Sequence, residues 1–318
     1  MSRIDLTGER WLVTGGGGFV GYHLVRRLLS LGGQVSVLEP STAMPWRLAE
    51  AAQDITLYAA DVTDAQAVSD AMDAARPDGV FHLAAYGVNA ADQDIREALR
   101  INVTGVLNVL DAMKLCGCKR LVTMGSGAEY GSHEGAIPET SPLRPQSIYG
   151  SAKAAATVVA HQYARQQGIG IVTLRPFGIY GEAEPPHKLF CETILTLLDE
   201  RPLLLTPGGQ CRDYCHVADI AAALTASMGN DALRDDVFNV GSGELRSLRE
   251  YVELLRRQVG SASDVVFGAL PYRKDEVFAP APDTRLIRER LGWKPVITLE
   301  QGMKRTVEWF RINRHRYL

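Results

Sequence analysis

The chain has little that would tie it to a membrane or to a polyanion. No apolar run reaches the length that spans a bilayer, because Gly, Asp or Arg interrupts each of the longest stretches. Basic residues are not in excess: 34 Lys and Arg face 37 Asp and Glu, a formal net charge of -3, which offers no electrostatic footprint for nucleic acid. The opening MSRIDLTGERW lacks the apolar centre of a secretory signal, so a cytoplasmic protein is expected. Cysteine is scarce. Cys116 and Cys118 make a C-x-C, and Cys211 and Cys215 a C-x3-C, with Cys191 alone; no C-x-x-C and no partner ligands at zinc-like spacing occur. All five read as reduced and structural, and no metal is expected. Internal repeats and low-complexity segments are also missing.

What is present is ordinary globular composition, 46% hydrophobic and 22% charged, over 318 residues. That length exceeds the roughly 250–300 residues at which a single core stops growing, so one large or two joined domains are expected. Short apolar runs at Arg10–Thr14, Gln34–Glu39, Ile55–Asp61, Gly79–Ala85, Arg120–Ser126 and Gly170–Pro176 alternate with helical patterns near 19–31, 64–75, 92–115 and 147–167. Strands apolar on both faces, separated by helices, predict a parallel sheet covered on both sides, with its ligand crevice at the carboxyl ends of the strands. Beyond Phe177 the rhythm loosens into helices near 188–200 and 217–228, a strand at 237–240 that returns to the sheet, and a last stretch of helix, short strand, loop and two amphipathic helices. The expected class is α/β: a doubly wound parallel sheet formed by 1–176 plus about 211–241, with a smaller, mostly C-terminal α/β substrate domain formed by 177–210 and 242–318.

Residues 10–21, RWLVTGGGGFVG, run from an apolar strand into Gly15, Gly18 and Gly21 and straight into an apolar-periodic helix. In that setting the glycines give a tight turn, close approach of backbone to a pyrophosphate, and close packing of helix on strand. The helix N-terminus then offers amides and a positive dipole end to phosphate. This is the dinucleotide-binding pattern of a Rossmann sheet. Glu39 ends the second strand eighteen residues past Gly21, where a carboxylate accepts ribose hydroxyls and repels a 2′-phosphate, favouring NAD over NADP. Asp61 and Val62 end the third strand; they border the adenine edge, or Asp61 caps the helix that begins near Asp64.

Residues 149–153, YGSAK, put Tyr149 and Lys153 on one helical face. A free phenol titrates near 10, but an ammonium one turn away and a positive nicotinamide ring favour phenolate, which can exchange a proton with a carbinol. Ser126, twenty-three residues earlier in GSGAEYG, reaches the same substrate oxygen from a strand end.

With TGGGGFVG, DVTD at 61–64, HLAA at 82–85, Asn102 in RINVTG, GSGAEYG, YGSAK, LRPFGIYG at 174–181, RDYCHVADIA at 212–221 and LGWKP at 291–295, the chain resembles the NAD-dependent epimerase/dehydratase family of extended short-chain dehydrogenases over nearly its whole length. The resemblance implies a homodimer through the helices near 92–115 and 147–167. It implies catalysis by Tyr149, Lys153 and Ser126. It implies NAD contacts from Gly15, Gly18, Phe19, Val20, Gly21, Glu39, Asp61, Val62, Leu83, Ala84, Ala85, Asn102, Tyr149, Lys153 and Pro176, although Asn102 also reads as a buried, satisfied amide. On the substrate side it implies Ser126, Gly127, Tyr149, Gly178, Arg212 and Arg273, the arginines meeting nucleotide-sugar phosphates or forming ordinary salt bridges. Asp213 and Asp219 read as fixing loop and helix ends.

Two departures stand out. Gly178 replaces the asparagine that the family commonly carries in RPxNxYG. Gly127 and Ala128 replace the Asp-Glu pair of the 4,6-dehydratases, and Glu129, one position late on a strand-like segment, is expected to face the other way, so dehydration is not expected. The expected activity is C4 epimerisation of a nucleoside-diphosphate sugar through a 4-keto intermediate. A one-way 4-ketoreductase, a family member acting on a non-sugar alcohol, and a non-catalytic NAD-binding member are the alternatives.

Overall fold

The computed structural model describes residues 6–89, 91–133, 135–230, 232–272 and 278–317. The glycine-rich segment follows strand β1 (Arg10–Thr14), and β2 (Gln34–Glu39), β3 (Ile55–Ala59), β4 (Gly79–His82) and β5 (Arg120–Met124) follow in turn. With the strands Gly170–Pro176 and Asp235–Val240 they make one seven-stranded sheet. From one edge the order is 235–240, 170–176, β5, β4, β1, β2, β3. Every pairing is parallel; Val13, for example, lies between Val37 and Phe81. The strand order reverses between β1 and β4, and a crevice opens there at the carboxyl ends.

Three of the expected strands stop short, at Ala59, His82 and Met124. Their apolar patterns run on, but the backbone leaves the ladder. The amide of Leu83 turns onto the carbonyl and hydroxyl of Thr14, at 3.1 and 3.2 Å, and the amide of Ala84 onto the same hydroxyl at 3.2 Å.

Helices cover both faces, as the apolar strands require. Helix α1 (Phe19–Ser30) and the helix Val217–Met228 close one side over Trp11, Val37, Phe81 and Phe238. Helix α2 (Ala65–Ala75), Gly105–Cys116 and Ile148–Gln167 close the other over Leu12, Val80, Val109 and Leu121. Each such side chain, fully buried, contributes about 1.5–3 kcal/mol. Asp64, not Asp61, caps α2, accepting the amides of Gln66 and Ala67. The single helix expected at 92–115 is in fact Ile95–Leu99, a π turn Arg100–Thr104, and Gly105–Cys116.

A third core, with Phe190, Ile194, Tyr251, Leu255, Met303 and Phe310, lies under the helices Leu189–Leu198, Leu248–Val259 and Leu299–Asn313. Beside it the strand Cys211–His216 pairs with Gly178–Tyr180 in parallel and with Leu245–Ser247 antiparallel. Residues 211–216, expected with the large sheet, thus belong by pairing to the smaller region; the helix and strand after them return to the large sheet. The five cysteines form no disulfide. Among the described residues no helix is long and apolar enough to cross a membrane.

Candidate active site

The glycine segment is shaped by contacts that exclude side chains. Gly15 has φ +69°, and a Cβ there would stand 2.8 Å from the Ala84 amide nitrogen. A Cβ on Gly21 would lie 2.2 Å from the Gly15 carbonyl oxygen, so α1 packs directly on the turn. Gly18 is the N-cap of α1, and no side chain caps that end. The first-turn amides of Phe19 and Val20 therefore face the crevice without an intrahelical acceptor. Glu39 accepts the Gly17 N–H through Oε1 at 2.6 Å, which ties the end of β2 to the loop and leaves its second oxygen without a protein partner among the described residues. Burial pushes its carboxyl above the usual range against that bond.

Around this cradle stand the remaining residues expected at a cofactor. Asp61 uses Oδ1 on the amide and hydroxyl of Thr63 at 2.9 and 2.7 Å. Val62 is buried, and its carbonyl accepts from Asn108. Leu83, Ala84 and Ala85 form the segment after β4. Asn102, on the π turn, is a satisfied amide: it accepts the Tyr86 N–H at 3.1 Å and donates to the Tyr86 carbonyl at 3.0 Å. It holds the 83–86 segment in place from below. Pro176 ends its strand opposite Val240 and does not line the cavity.

On the other side lies a cavity of about 710 Å³. Ser126, Gly127, Tyr149, Gly178 and Arg212 line it together, as the resemblance implied; Asp92, Gln146 and Phe177 line it without having been anticipated. Arg273 lies outside the described residues. Asp213 and Asp219 hold structure: Asp213 accepts from the amides of Ser242 and Gly243, and Asp219 from those of Val296 and Ile297.

Ser126 leaves β5 as the N-cap of a short 3-10 turn, Gly127–Glu129; its hydroxyl accepts the Ala128 N–H at 3.1 Å, and it lines the cavity with Tyr149. Tyr149 opens the helix Ile148–Gln167, capped by Ser147, and Lys153 follows one turn later, buried. The glycine of YGSAK has a packing role, since a Cβ on Gly150 would fall 2.4 Å from the Ala128 carbonyl oxygen. The chain's own groups favour the neutral phenol. Burial pushes it up to about 12, Glu129 adds to the rise, and only Ser126 works downward. Burial also pulls Lys153 down to about 8, opposed by Glu129. A low-dielectric cleft disfavours both charged forms, and the positive ring that favours phenolate belongs to a cofactor, not to the chain.

Glu129 faces away from the cavity as expected, but its segment is not the one the sequence suggested. It sits on a helical turn, not a strand, and is fully buried in an ion pair with Arg175. It does not line the cavity. At Gly178 a Cβ would stand 2.4 Å from the Asp213 carbonyl oxygen and 2.6 Å from the Tyr214 ring, so the neighbouring strand occupies the space of the missing side chain.

A doubly wound seven-stranded sheet, with serine, tyrosine and lysine converging at its strand ends, defines the extended short-chain dehydrogenase class. Within it the chain belongs to the NAD dependent epimerase/dehydratase family, whose model matches residues 11–241. A UDP-glucose 4-epimerase of Mycolicibacterium smegmatis is 31% identical over 314 residues, 95% of this chain and 98% of that protein. A dTDP-glucose 4,6-dehydratase of Streptomyces niveus is 32% identical over 321 residues, 96% of this chain and 94% of that protein. The solved UDP-glucose 4-epimerase of Thermus thermophilus, a complex with NAD, matches with a TM-score of 0.86 at 29% identity, over 95% of this chain and 99% of that one.

Proposed function

We propose that the chain is an NAD-dependent oxidoreductase of nucleoside-diphosphate sugars that epimerises C4 through a transient 4-keto sugar. The observation that carries this reading is the meeting of Tyr149 and Ser126 at a cavity that also reaches Arg212, with Lys153 buried one helical turn behind Tyr149. Its volume, about 710 Å³, suits a nucleotide sugar and leaves the hexose room to present either face. The epimerase relative supports the same substrate class.

The residues present fit NAD. Gly15, Gly18 and Gly21 leave a cradle closed to side chains, the α1 amides of Phe19 and Val20 suit the pyrophosphate, and the second Glu39 oxygen suits the ribose hydroxyls. Asp61, Val62, Leu83, Ala84, Ala85 and Pro176 would border the adenine and nicotinamide ends, with Asn102 supporting them. NAD, when bound, supplies reversible hydride exchange with the sugar carbon. Tyr149 takes the proton of the C4 hydroxyl and returns it to the carbonyl oxygen, while the Ser126 hydroxyl holds that same oxygen. Tyr149 must be phenolate before it takes that proton, a form the Lys153 ammonium and the positive ring of bound NAD would favour. Arg212, with Arg273, is the cationic pair for the diphosphate, and Gly127 and Gly178 present backbone to the sugar along the cavity wall.

We read the dehydratase alternative as disfavoured despite the Streptomyces relative. Gly127 and Ala128 offer neither acid nor base, and a Cβ on Gly127 would lie 2.8 Å from the Phe177 ring. We also assign 1–176 with about 211–241 to cofactor binding and the rest to substrate binding, moving 211–216 to the latter on its strand pairing. A homodimer through the Ile95–Leu99, Gly105–Cys116 and Ile148–Gln167 helices is supported by exposed Leu99, Leu115 and Val158.

The test is to assay the purified protein for tightly held NAD, then offer UDP-, dTDP-, GDP- and CDP-sugars. The expected result is a C4 epimer with no net consumption of reduced cofactor. Stoichiometric consumption would establish the one-way ketoreductase instead, and a 4-keto-6-deoxy product the dehydratase.

A further inference from the structure

Two rails run side by side under the cleft. Tyr149, Lys153 and Thr157 recur at intervals of four along one face of their helix. Facing them, Ser126 and Glu129 bracket the 3-10 turn, joined by a capping box in which Glu129 Oε1 accepts the Ser126 N–H at 2.8 Å. The rails are tied at one end, where Thr157 Oγ1 donates to Glu129 Oε1 at 3.2 Å, and at the other Ser126 and Tyr149 line the cavity together. Lys153 lies between. The close approach at Gly150 makes this spacing a property of the backbone.

The other oxygen of Glu129 accepts from Arg175 Nε at 2.8 Å, and Arg175 NH1 donates to the Tyr130 hydroxyl at 2.8 Å. Glu129 is 0% exposed and Arg175 4%. An ion pair so deep carries a desolvation cost that apolar residues of the same volume would avoid. Packing alone therefore does not account for a charge at this place; its oxygens hold the Ser126 N–H and Thr157, which flank Tyr149 and Lys153 on the two rails.

We propose that Glu129 is a positioning residue for the acid–base pair: it fixes Ser126 through the backbone amide, and its negative charge holds the Lys153 ammonium in the charged form beside Tyr149. The proposal rests on the oxidoreductase reading above. The charged and titratable groups that bear on the site are Glu129 from the turn, His82 from β4, and Arg175, which faces Glu129 from the strand Gly170–Pro176. Burial keeps His82 neutral, pulled down to about 3, with Lys153 adding to the fall. Of these, Glu129 is the group that opposes the fall of Lys153 toward about 8.

Two variants test this. Glu129→Gln keeps an oxygen for the Ser126 amide but strands the guanidinium; the double variant Glu129→Met with Arg175→Met replaces the pair by apolar chains that refill the space. Lys153 is titrated by NMR on protein carrying 15N-lysine, its signal assigned by disappearance in Lys153→Met. Both variants are expected to lower the Lys153 midpoint by about one pH unit, a neighbouring-charge effect, and to move the alkaline limb of the rate profile equally with KM little changed. An unmoved Lys153 midpoint in folded double variant overturns the proposal. If neither variant folds, the pair is a fold determinant and the positioning role is rejected. Because the titration needs no substrate, a wild type that turns over no nucleotide sugar would remove the functional reading without touching this result.

Discussion

Alanine at two of the cradle glycines separates packing from ligand binding. At Gly21 the added Cβ would meet the Gly15 carbonyl oxygen at 2.2 Å and the Gly16 Cα at 2.6 Å. Those are backbone atoms in a turn that β1 and α1 hold from both ends, so they have little room to yield. Overpacking of this kind costs about 1–3 kcal/mol, and at about 2–4 °C per kcal/mol the melting temperature falls by several degrees. At Gly18 the backbone is extended, with φ -70° and ψ 174°, which alanine adopts without strain. Its Cβ would meet within 4 Å only the Gly15 carbonyl oxygen, at 3.2 Å. Gly18→Ala should therefore stay within about 0.5 kcal/mol of wild-type stability. Its methyl group intrudes instead on the ligand, and NAD affinity should drop at least tenfold, about 1.4 kcal/mol. Thermal melts and calorimetric NAD titrations of cofactor-stripped protein read the two effects separately. Wild-type NAD affinity in Gly18→Ala would refute the reasoning, as would an unchanged melting temperature in Gly21→Ala.

Three further outcomes follow from the site and its surroundings. Glu39→Ala should relax the preference against NADP, read as the ratio of NAD to NADP dissociation constants; an unchanged ratio would take Glu39 out of the ribose site. Gly127→Asp should not confer dehydration, because the Phe177 ring occupies the place of the new side chain; a 4-keto-6-deoxy product from this variant would contradict that. Glu184 is buried, accepts the Cys191 N–H at 2.8 Å, and is pushed up by burial from 4.5 to about 8. A carboxyl whose folded value is raised contributes stability that is full below its ordinary value and is lost as pH rises toward the folded one. Denaturant unfolding should therefore show a decline between about pH 4.5 and 8 that Glu184→Gln flattens, and an equal decline in the variant would rule Glu184 out as its source.

Much of the fold was legible because parallel strands buried on both faces read as plain apolar runs, and the glycine motif announces both the strand before it and the helix after it. The end of β4 was overrun because Thr14 takes up the amides of Leu83 and Ala84 with its hydroxyl, a side-chain event that apolar pattern does not register. The π turn was invisible for a related reason: one extra residue per turn leaves hydrophobic spacing nearly unchanged while redirecting Asn102 onto Tyr86. At the site, Ser126, Tyr149 and Lys153 stood out because their types carry chemistry at a recognisable spacing. Glu129 was misread because a 3-10 turn of three residues is too short to leave a period. Thr157 carried a usable signal, eight residues after Tyr149 on the same helical face. Phe177 carried none, since its contact with Gly127 is set by the approach of two strand ends.

The central claim is that the Tyr149 hydroxyl moves the proton at the sugar C4 oxygen. Turnover of a nucleotide sugar should be compared between wild type and Tyr149→Phe at equal NAD occupancy. The variant should bind NAD and sugar nucleotide as wild type does and lose about a hundred- to ten-thousand-fold in kcat; turnover retained within a few-fold of wild type would contradict the claim.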